Sequence, residues 1–330
     1  MELIDLDAAV TASLNSNIKP TDKNVKDRIK TIKKYQKQLK KLITIPVIVQ
    51  KSPEWHKARE TMISASDFAQ ALNDGKFGTQ KQLIIKKCGP AEEFKTNLFF
   101  QWGNLFEQVA CDIYCKMYNH KMFEFGLIKH PTLDYFGASP DGISELGIML
   151  EIKCPMKRKI AMGDEVPLQY YYQIQGQLEV CNLEECDYFE CEFQLYNNYN
   201  EFLNDNESIR GIILKKNSQN IYSEVIMKDA KHQIDEWIKE NEPYDEMQCW
   251  MLKTYNIQRV KKNTEFLEEK LKGLKEIWDK ICFYKQNPEV FQKEFFTPTP
   301  SISIETEPFH PIITLQNNKQ VKLSGYLFLD

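Results

Sequence analysis

Residues 137–155, GASPDGISELGIMLEIKCP, place Asp141, Glu151 and Lys153 where they can act together. In a strand successive side chains face opposite ways, so Glu151 and Lys153 share one face while Leu150, Ile152 and Cys154 take the other. Asp141 lies in a Pro-Asp-Gly turn, and a hairpin through Ser144 to Gly147 returns Glu151 beside it. Two carboxylates then face one ammonium. Two hard oxygen ligands with a backbone carbonyl, that of Ile152, suit Mg²⁺, with Mn²⁺ able to substitute. Such an ion neutralises charge on a phosphodiester and lowers the pKa of an attacking water. Lys153 can orient that water or stabilise the charge that develops. Alone, D…ExK is a weak signal, because any surface hairpin with a salt bridge matches it.

These groups need elements to hold them. Apolar spacing predicts short helical segments over 54–60, 66–72 and 79–87, then a longer helix over 97–118 that buries Trp102, Leu105, Phe106, Val109 and Ile113. Glu107 lies off the centre of that stripe, and Gly103, one turn earlier, leaves room beside its carboxylate. The period then drops to two, predicting strands over 121–130, 135–138, 143–146, 148–154, 187–195, 211–215 and 221–227. A helix over 166–180 interrupts them, with Ile174, Leu178 and Cys181 inward and Gln173 and Gln177 as an i, i+4 pair on another face. This order predicts an α/β fold: a central mixed sheet flanked by helices.

The flanks differ from this core. Residues 19–41 carry ten Lys or Arg against two Asp, with Val25, Ile29, Ile32 and Leu39 at helical spacing. This basic amphipathic helix is either a packed helix with a solvated lysine face or an arm that tracks phosphates. After Lys231 the chain reads as mostly helical, including an amphipathic stretch over 264–285 that covers the core or a partner subunit. The resulting division is a basic helical extension over 1–49, the core over 50–228, a helical C-terminal region over 229–294, and a proline-marked tail over 295–330 with a hairpin about Asn317-Asn318. No internal repeat is visible.

Composition bounds the function. Lys plus Arg is 43 against 47 Asp plus Glu, a net charge of −4, which excludes a uniformly basic nucleic-acid coat and makes any DNA-binding surface local. The longest apolar stretch, 42–49, is broken by Thr44 and Pro46 and falls far short of the ~20 residues of a membrane span. MELIDLDAAV carries acids where a secretory signal needs a basic start, so the expectation is an intracellular protein, in host cytoplasm or nucleus if viral. Nine cysteines without a C-x2-C pair read as reduced thiols, and His56, His120 and His130 as structural. There is no Walker A loop and no iron–sulfur cysteine pattern.

The sequence S-P-D-G, then E-I-K-C-P, then Y-Y-Y-Q-I-Q resembles the PD-(D/E)xK nuclease superfamily, specifically its lambda-exonuclease-like (YqaJ-type) viral recombinase branch. Gln50, Trp55-His56, Arg59 and Ser64-Ala65-Ser66 resemble that family's Q…W…R…(T/S)-A-S segment, and Trp102-Gly103-Asn104-Leu105-Phe106-Glu107 its G-x-x-x-E helix. The resemblance covers about 50–195 and is closer to members from large DNA viruses, with a shorter Lys153-to-Gln173 connection than in the phage enzyme. It implies a restriction-endonuclease-like core, with Asp141 and Glu151 as metal ligands, Lys153 as the catalytic lysine and Glu107 helping to hold metal. It also implies that Arg59, Ser66, Ser139 and Gln173 receive a 5′-terminal phosphate. An arginine fork suits phosphate oxygens, and hydroxyl and amide donors add orientation.

The implied activity is Mg²⁺-dependent digestion of one DNA strand, 5′ to 3′ from a duplex end, leaving a 3′ overhang for recombination, repair or genome processing. A single-strand annealing protein and a homotrimer are implied on the same grounds. Two other readings stand beside it: a structure-specific or single-strand endonuclease on the same core, and a non-catalytic DNA-end-binding scaffold. For individual residues, Ser66 is equally a helix N-cap, Arg59 can pair with a carboxylate, and Tyr170 to Tyr172 can pack or stack on bases.

Overall fold

The computed structural model describes residues 23–90, 97–227 and 234–296. The basic segment forms α1 (Lys23–Ile43). Helix α2 (Pro53–Glu60) begins with proline at its first position and with the Ser52 hydroxyl accepting the Trp55 N–H. Next come β1 (Ile63–Ser64), a 3-10 turn (Ala65–Asp67), α3 (Phe68–Ala71) and α4 (Gln80–Cys88), the last started by a capping box between Thr79 and Gln82. Asn97 caps α5 (Leu98–Tyr118), which ends at Asn119 in the left-handed region. Strands β2 (Met122–Phe123), β3 (Ile128–Lys129), β4 (Phe136–Ala138), β5 (Gly142–Ser144) and β6 (Met149–Lys153) lead to α6 (Leu168–Cys181). The chain continues through β7 (Glu185–Leu195), α7 (Tyr199–Asn204), β8 (Arg210–Lys216), β9 (Gln219–Tyr222) and α8 (Ile234–Glu240). Then follow β10 (Glu246–Lys261), α9 (Thr264–Gln286) and α10 (Pro288–Phe296).

The large sheet runs β2-β5-β6-β7-β10-β8-β9, and a small one runs β1-β4-β3. In the large sheet β6 and β7 pair in parallel and the other neighbours are antiparallel. Helices cover it, so the expected mixed sheet flanked by helices is the observed architecture. Two buried clusters divide the packing. One joins α6, α9 and the small sheet through Phe68, Phe136, Tyr172, Leu178 and Leu274; the other joins α5 to the large sheet through Phe106, Ile113, Leu150, Phe189 and Trp250. The hairpin that bears Asp141 and Glu151 thus lies between two apolar masses.

Helix α1 is docked on this body. Ile32, Tyr35, Leu39 and Leu42 are buried, each worth roughly 1.5–3 kcal/mol against exposure. Arg28 pairs with Glu185 at 2.6 Å, and the Gln36 and Gln38 amides donate to the carbonyls of Glu145 and Cys181. Gly147, at φ +75°, sits where a Cβ would lie 2.7 Å from the Tyr35 backbone, so a side chain at the hairpin tip would push α1 away.

Two expectations need correction. The C-terminal region is not wholly helical: β10, sixteen residues long, lies inside the sheet between β7 and β8. Its apolar alternation is broken by Lys253, Asn256 and Gln258, because both faces are covered unevenly and Asn256, 2 % exposed, spends its side chain on the loop before α6. The strand expected over 121–130 is two short pieces in different sheets, split where a Cβ at Gly126 would fall 1.8 Å from the Ile48 carbonyl. The segment after α1 crosses there, with Leu127 N–H donating to Ile48. Helix α9 covers the core of its own chain, burying Leu267, Leu274, Ile277 and Ile281. The expected hairpin about Asn317-Asn318 lies outside the described residues. No helix among the described residues is long and apolar enough to cross a membrane.

Candidate active site

Register brings the acidic pair together. Gly142 faces Leu150 and Ile143 faces Met149, so Asp141 comes level with Glu151, and its Oδ2 accepts the Ile152 N–H at 2.7 Å. The strand alternates as the sequence predicts: Leu150, Ile152 and Cys154 enter the cluster under α5, while Glu151 and Lys153 turn the other way and pair with each other. Glu151 is fully buried, and its oxygens also accept the Gln173 amide at 2.6 Å and the Gln177 amide at 2.8 Å. Burial, reinforced by Glu151 and Glu107, pushes the Asp141 carboxyl well above the usual carboxylate range. Burial alone would lower Lys153, but Glu151 and Asp141 outweigh it and keep the ammonium charged. The Lys153 Nζ also lies 5.0 Å from the centre of the Tyr170 ring.

Glu107 comes from α5, where a Cβ at Gly103 would meet nothing within 4 Å, so the space expected there is present. Its Oε2 accepts from Lys51 at 3.2 Å. Gln50, the residue before that lysine, donates to the carbonyls of Phe125 and Pro140, both at 3.0 Å, and so fixes the turn that presents Asp141. Among the described residues no three His, Cys, Asp or Glu side chains converge as a ready-made metal cluster. The nine cysteines are free thiols, and Cys111, Cys115 and His120 instead line a separate cavity of about 640 Å³ beside α5.

A second, cationic cluster is built on α2 and the turn after β1. The Arg59 guanidinium donates to Ser64 Oγ at 2.8 Å and Ser66 Oγ at 3.0 Å, and lies 4.2 Å from the centre of the Trp55 ring. Ser64 in turn donates to Asp67. Lys87, almost fully buried, donates to the Arg59 carbonyl at 2.6 Å and stands 3.6 Å from Asp67, with Lys86 at 3.4 Å. Burial would raise the Asp67 carboxyl, but Lys87, Lys86 and Arg59 hold it well below the carboxylate range. Burial lowers Lys87 to about 8.

Trp55 bridges the two clusters by donating its indole N–H to Ser139 Oγ at 2.9 Å. Arg59, Ser66 and Ser139 therefore lie along one connected path. Gln173 does not join the guanidinium; it sits on Glu151. Ser66 is no N-cap, since it lies inside the 3-10 turn and its hydroxyl faces Arg59 and Ser64. Arg59 takes hydroxyl partners rather than a carboxylate. Tyr172 is packed, its hydroxyl on Asp74, and His130 bonds Glu179. The residues that sequence reasoning left without a role are Gln177, Lys51, Ser64, Asp67 and Lys87. Gln177 left a signal in its position one helical turn after Gln173, and Ser64 in its place in the (T/S)-A-S segment.

Residues 54–184 match the model of the YqaJ-like viral recombinase domain. This segment, about two fifths of the chain, is similar to that family. It holds both clusters, from Arg59 to Gln177, whereas α1, β10 and α9 lie outside it. The chain is 27 % identical over 303 residues to the uncharacterized protein R354 of Acanthamoeba polyphaga mimivirus, a match to 76 % of this chain and 55 % of that protein. The chain thus spans about half the length of this curated relative. Among solved structures, an alkaline exonuclease from Laribacter hongkongensis gives a TM-score of 0.46 at 18 % identity, covering 73 % of this chain and 100 % of that one. A phage-related exonuclease from Haemophilus somnus gives 0.42 at 14 % identity, covering 70 % and 96 %.

Proposed function

We propose that the YqaJ-like domain is a PD-(D/E)xK deoxyribonuclease that digests one strand of duplex DNA from an end, 5′ to 3′, and leaves a 3′ single-stranded overhang for recombination or genome processing. The observation that carries this reading is the pairing of the buried Asp141, Glu151 and Lys153 with a cationic cluster at Arg59, linked through Trp55 and Ser139. An internal cutter has no use for a second cluster that takes a terminal phosphate.

The acidic pair fits a divalent cation. Burial beside Glu151 and Glu107 drives Asp141 toward its protonated form, so the site is short of positive charge, and its donors are hard oxygens suited to Mg²⁺ or Mn²⁺. Asp141, Glu151 and the Ile152 carbonyl would hold the ion, with Glu107 helping. When bound, it supplies charge neutralisation at the scissile phosphate and a more acidic water. Lys153 stays protonated beside Glu151 and acts as a fixed positive charge toward the phosphate oxygens rather than as a base. Gln173 and Gln177 hold the Glu151 carboxylate from two sides, which fixes its orientation. Arg59 and Ser66 offer charge-assisted and hydroxyl hydrogen bonds to the 5′-phosphate, with Ser139 further along the path.

A linear duplex labelled separately at each 5′ and 3′ end, with and without 5′-phosphate, tests this in Mg²⁺ and in EDTA beside a closed circle. The expected result is metal-dependent loss of 5′ label, stimulated by 5′-phosphate, with the circle intact. Cutting of the circle would replace this reading with an endonuclease, and tight end binding without cleavage would replace it with a scaffold.

A further inference from the structure

Helix α1 gathers most of its lysines on one side. The face formed by Ile32, Tyr35, Leu39 and Leu42 is buried against the body; Arg28, in line with that face, pairs with Glu185, and Gln36 and Gln38 at its margins bond to the carbonyls of Glu145 and Cys181. At 3.6 residues per turn, Lys26, Lys30, Lys33, Lys37, Lys40 and Lys41 fall on the opposite side, and all six are exposed. The helix contains a single acidic residue, Asp27, which lies off this stripe. From Lys26 to Lys41 the stripe runs about 22 Å. Duplex DNA presents one phosphate charge per ~1.7 Å of its axis, so this length meets many phosphates at once. The chain as a whole carries −4, so the stripe is a local concentration of charge and not a reflection of general basicity.

We propose that the lysine stripe of α1 is a second DNA-contact surface that grips the backbone of duplex DNA outside the active site without reading its sequence. This rests on the reading of the chain as one that acts on duplex DNA. Lysines on one face of a rigid helix neutralise phosphates without addressing base edges. The helix is held in place by the Arg28–Glu185 pair and the buried leucines, so the charges are presented by a fixed scaffold rather than a flexible tail. A lipid surface is the poorer partner. A helix that lies in a membrane interface needs its apolar face to enter the acyl region, and here that face is covered by protein.

The test measures binding of full-length chain to a blunt duplex in EDTA, where no cleavage occurs, by fluorescence anisotropy across a salt series. The compared variant carries Lys26→Gln, Lys30→Gln, Lys37→Gln and Lys40→Gln, and thermal melting by circular dichroism checks that both proteins are folded. The expected result is that the slope of log K against log salt becomes shallower by up to about 3.6, about 0.9 for each phosphate contact removed. An unchanged slope in a folded variant overturns the proposal. So does an unchanged DNA slope with lost sedimentation on phosphatidylserine-containing vesicles, which would assign the stripe to a membrane. Cleavage measured separately in Mg²⁺ keeps the two readings apart. A changed slope without cleavage would overturn the nuclease assignment and leave the stripe standing; normal end digestion with an unchanged slope would do the reverse.

Discussion

The acidic hairpin and the Arg59 cluster have opposite electrostatic deficits. At the hairpin, Asp141, Glu151 and Glu107 outnumber Lys153 and Lys51, and the Asp141 carboxyl is pushed up. At the other cluster, Arg59, Lys87 and Lys86 outnumber Asp67, and that carboxyl is pulled down. Two aspartates in one domain thus titrate in opposite directions because of their neighbours. The first site is one positive charge short and the second has positive charge to spare. On the proposed reading a cation completes one and an anion completes the other.

The largest expected effect comes from breaking the acidic side. Asp141→Ala, Glu151→Ala and Lys153→Ala should each lower the rate of 5′-label release by about a thousandfold or more, with the thermal melt showing a folded protein. Near-normal turnover in any of them removes that residue from the chemistry. Breaking the cationic side should be milder and selective. Arg59→Ala should lower digestion of 5′-phosphorylated ends by roughly 10- to 100-fold, the value of a charge-assisted hydrogen bond of ~1.5–3 kcal/mol, and change hydroxyl ends little. Equal losses on both ends would dissolve the distinction between the clusters.

The smallest effect sharpens the comparison through pH. Lys87 titrates near 8 rather than at the ordinary lysine value because burial penalises its charge. The cationic cluster therefore loses one charge as pH rises through about 8, and preference for 5′-phosphate should fall a few-fold between about pH 7 and 9 while Arg59 stays charged. The linked stability moves the other way. Between about 8 and the ordinary value of 10.5 the unfolded chain binds the proton that the folded chain has shed, so folding gains stability as pH rises there. A Lys87→Met variant should lose both pH dependences; if the 5′-phosphate preference still falls in that range, another group controls it.

The acidic site was legible because its chemistry is local. Thirteen residues, from Asp141 to Lys153, contain both carboxylates and the lysine, and strand alternation with one tight hairpin is enough to align them. Arg59, Ser66 and Ser139 were reached through family resemblance, and their connection through the Trp55 indole was not readable, since it joins residues 84 apart in the chain. Gln173 was placed with the phosphate set, but helical geometry aims it with Gln177 at Glu151. Strand β10 escaped because its pairing is wholly non-local and its polar residues are satisfied by distant loops, which blurs the alternation that betrays a strand.

That strand also sets an order of events during synthesis. Strand β7 pairs along its length with residues up to Lys261, so both clusters have left the ribosome while one side of β7 still lacks its neighbour. At roughly 5–20 residues per second, the nascent chain carries that open edge for several seconds. During this interval β7 presents unpaired backbone groups that can capture another strand. A chain ended before Glu246 would keep every residue of both clusters and still be expected to aggregate, so the tolerance of this protein to shortening is decided by sheet completion rather than by either cluster.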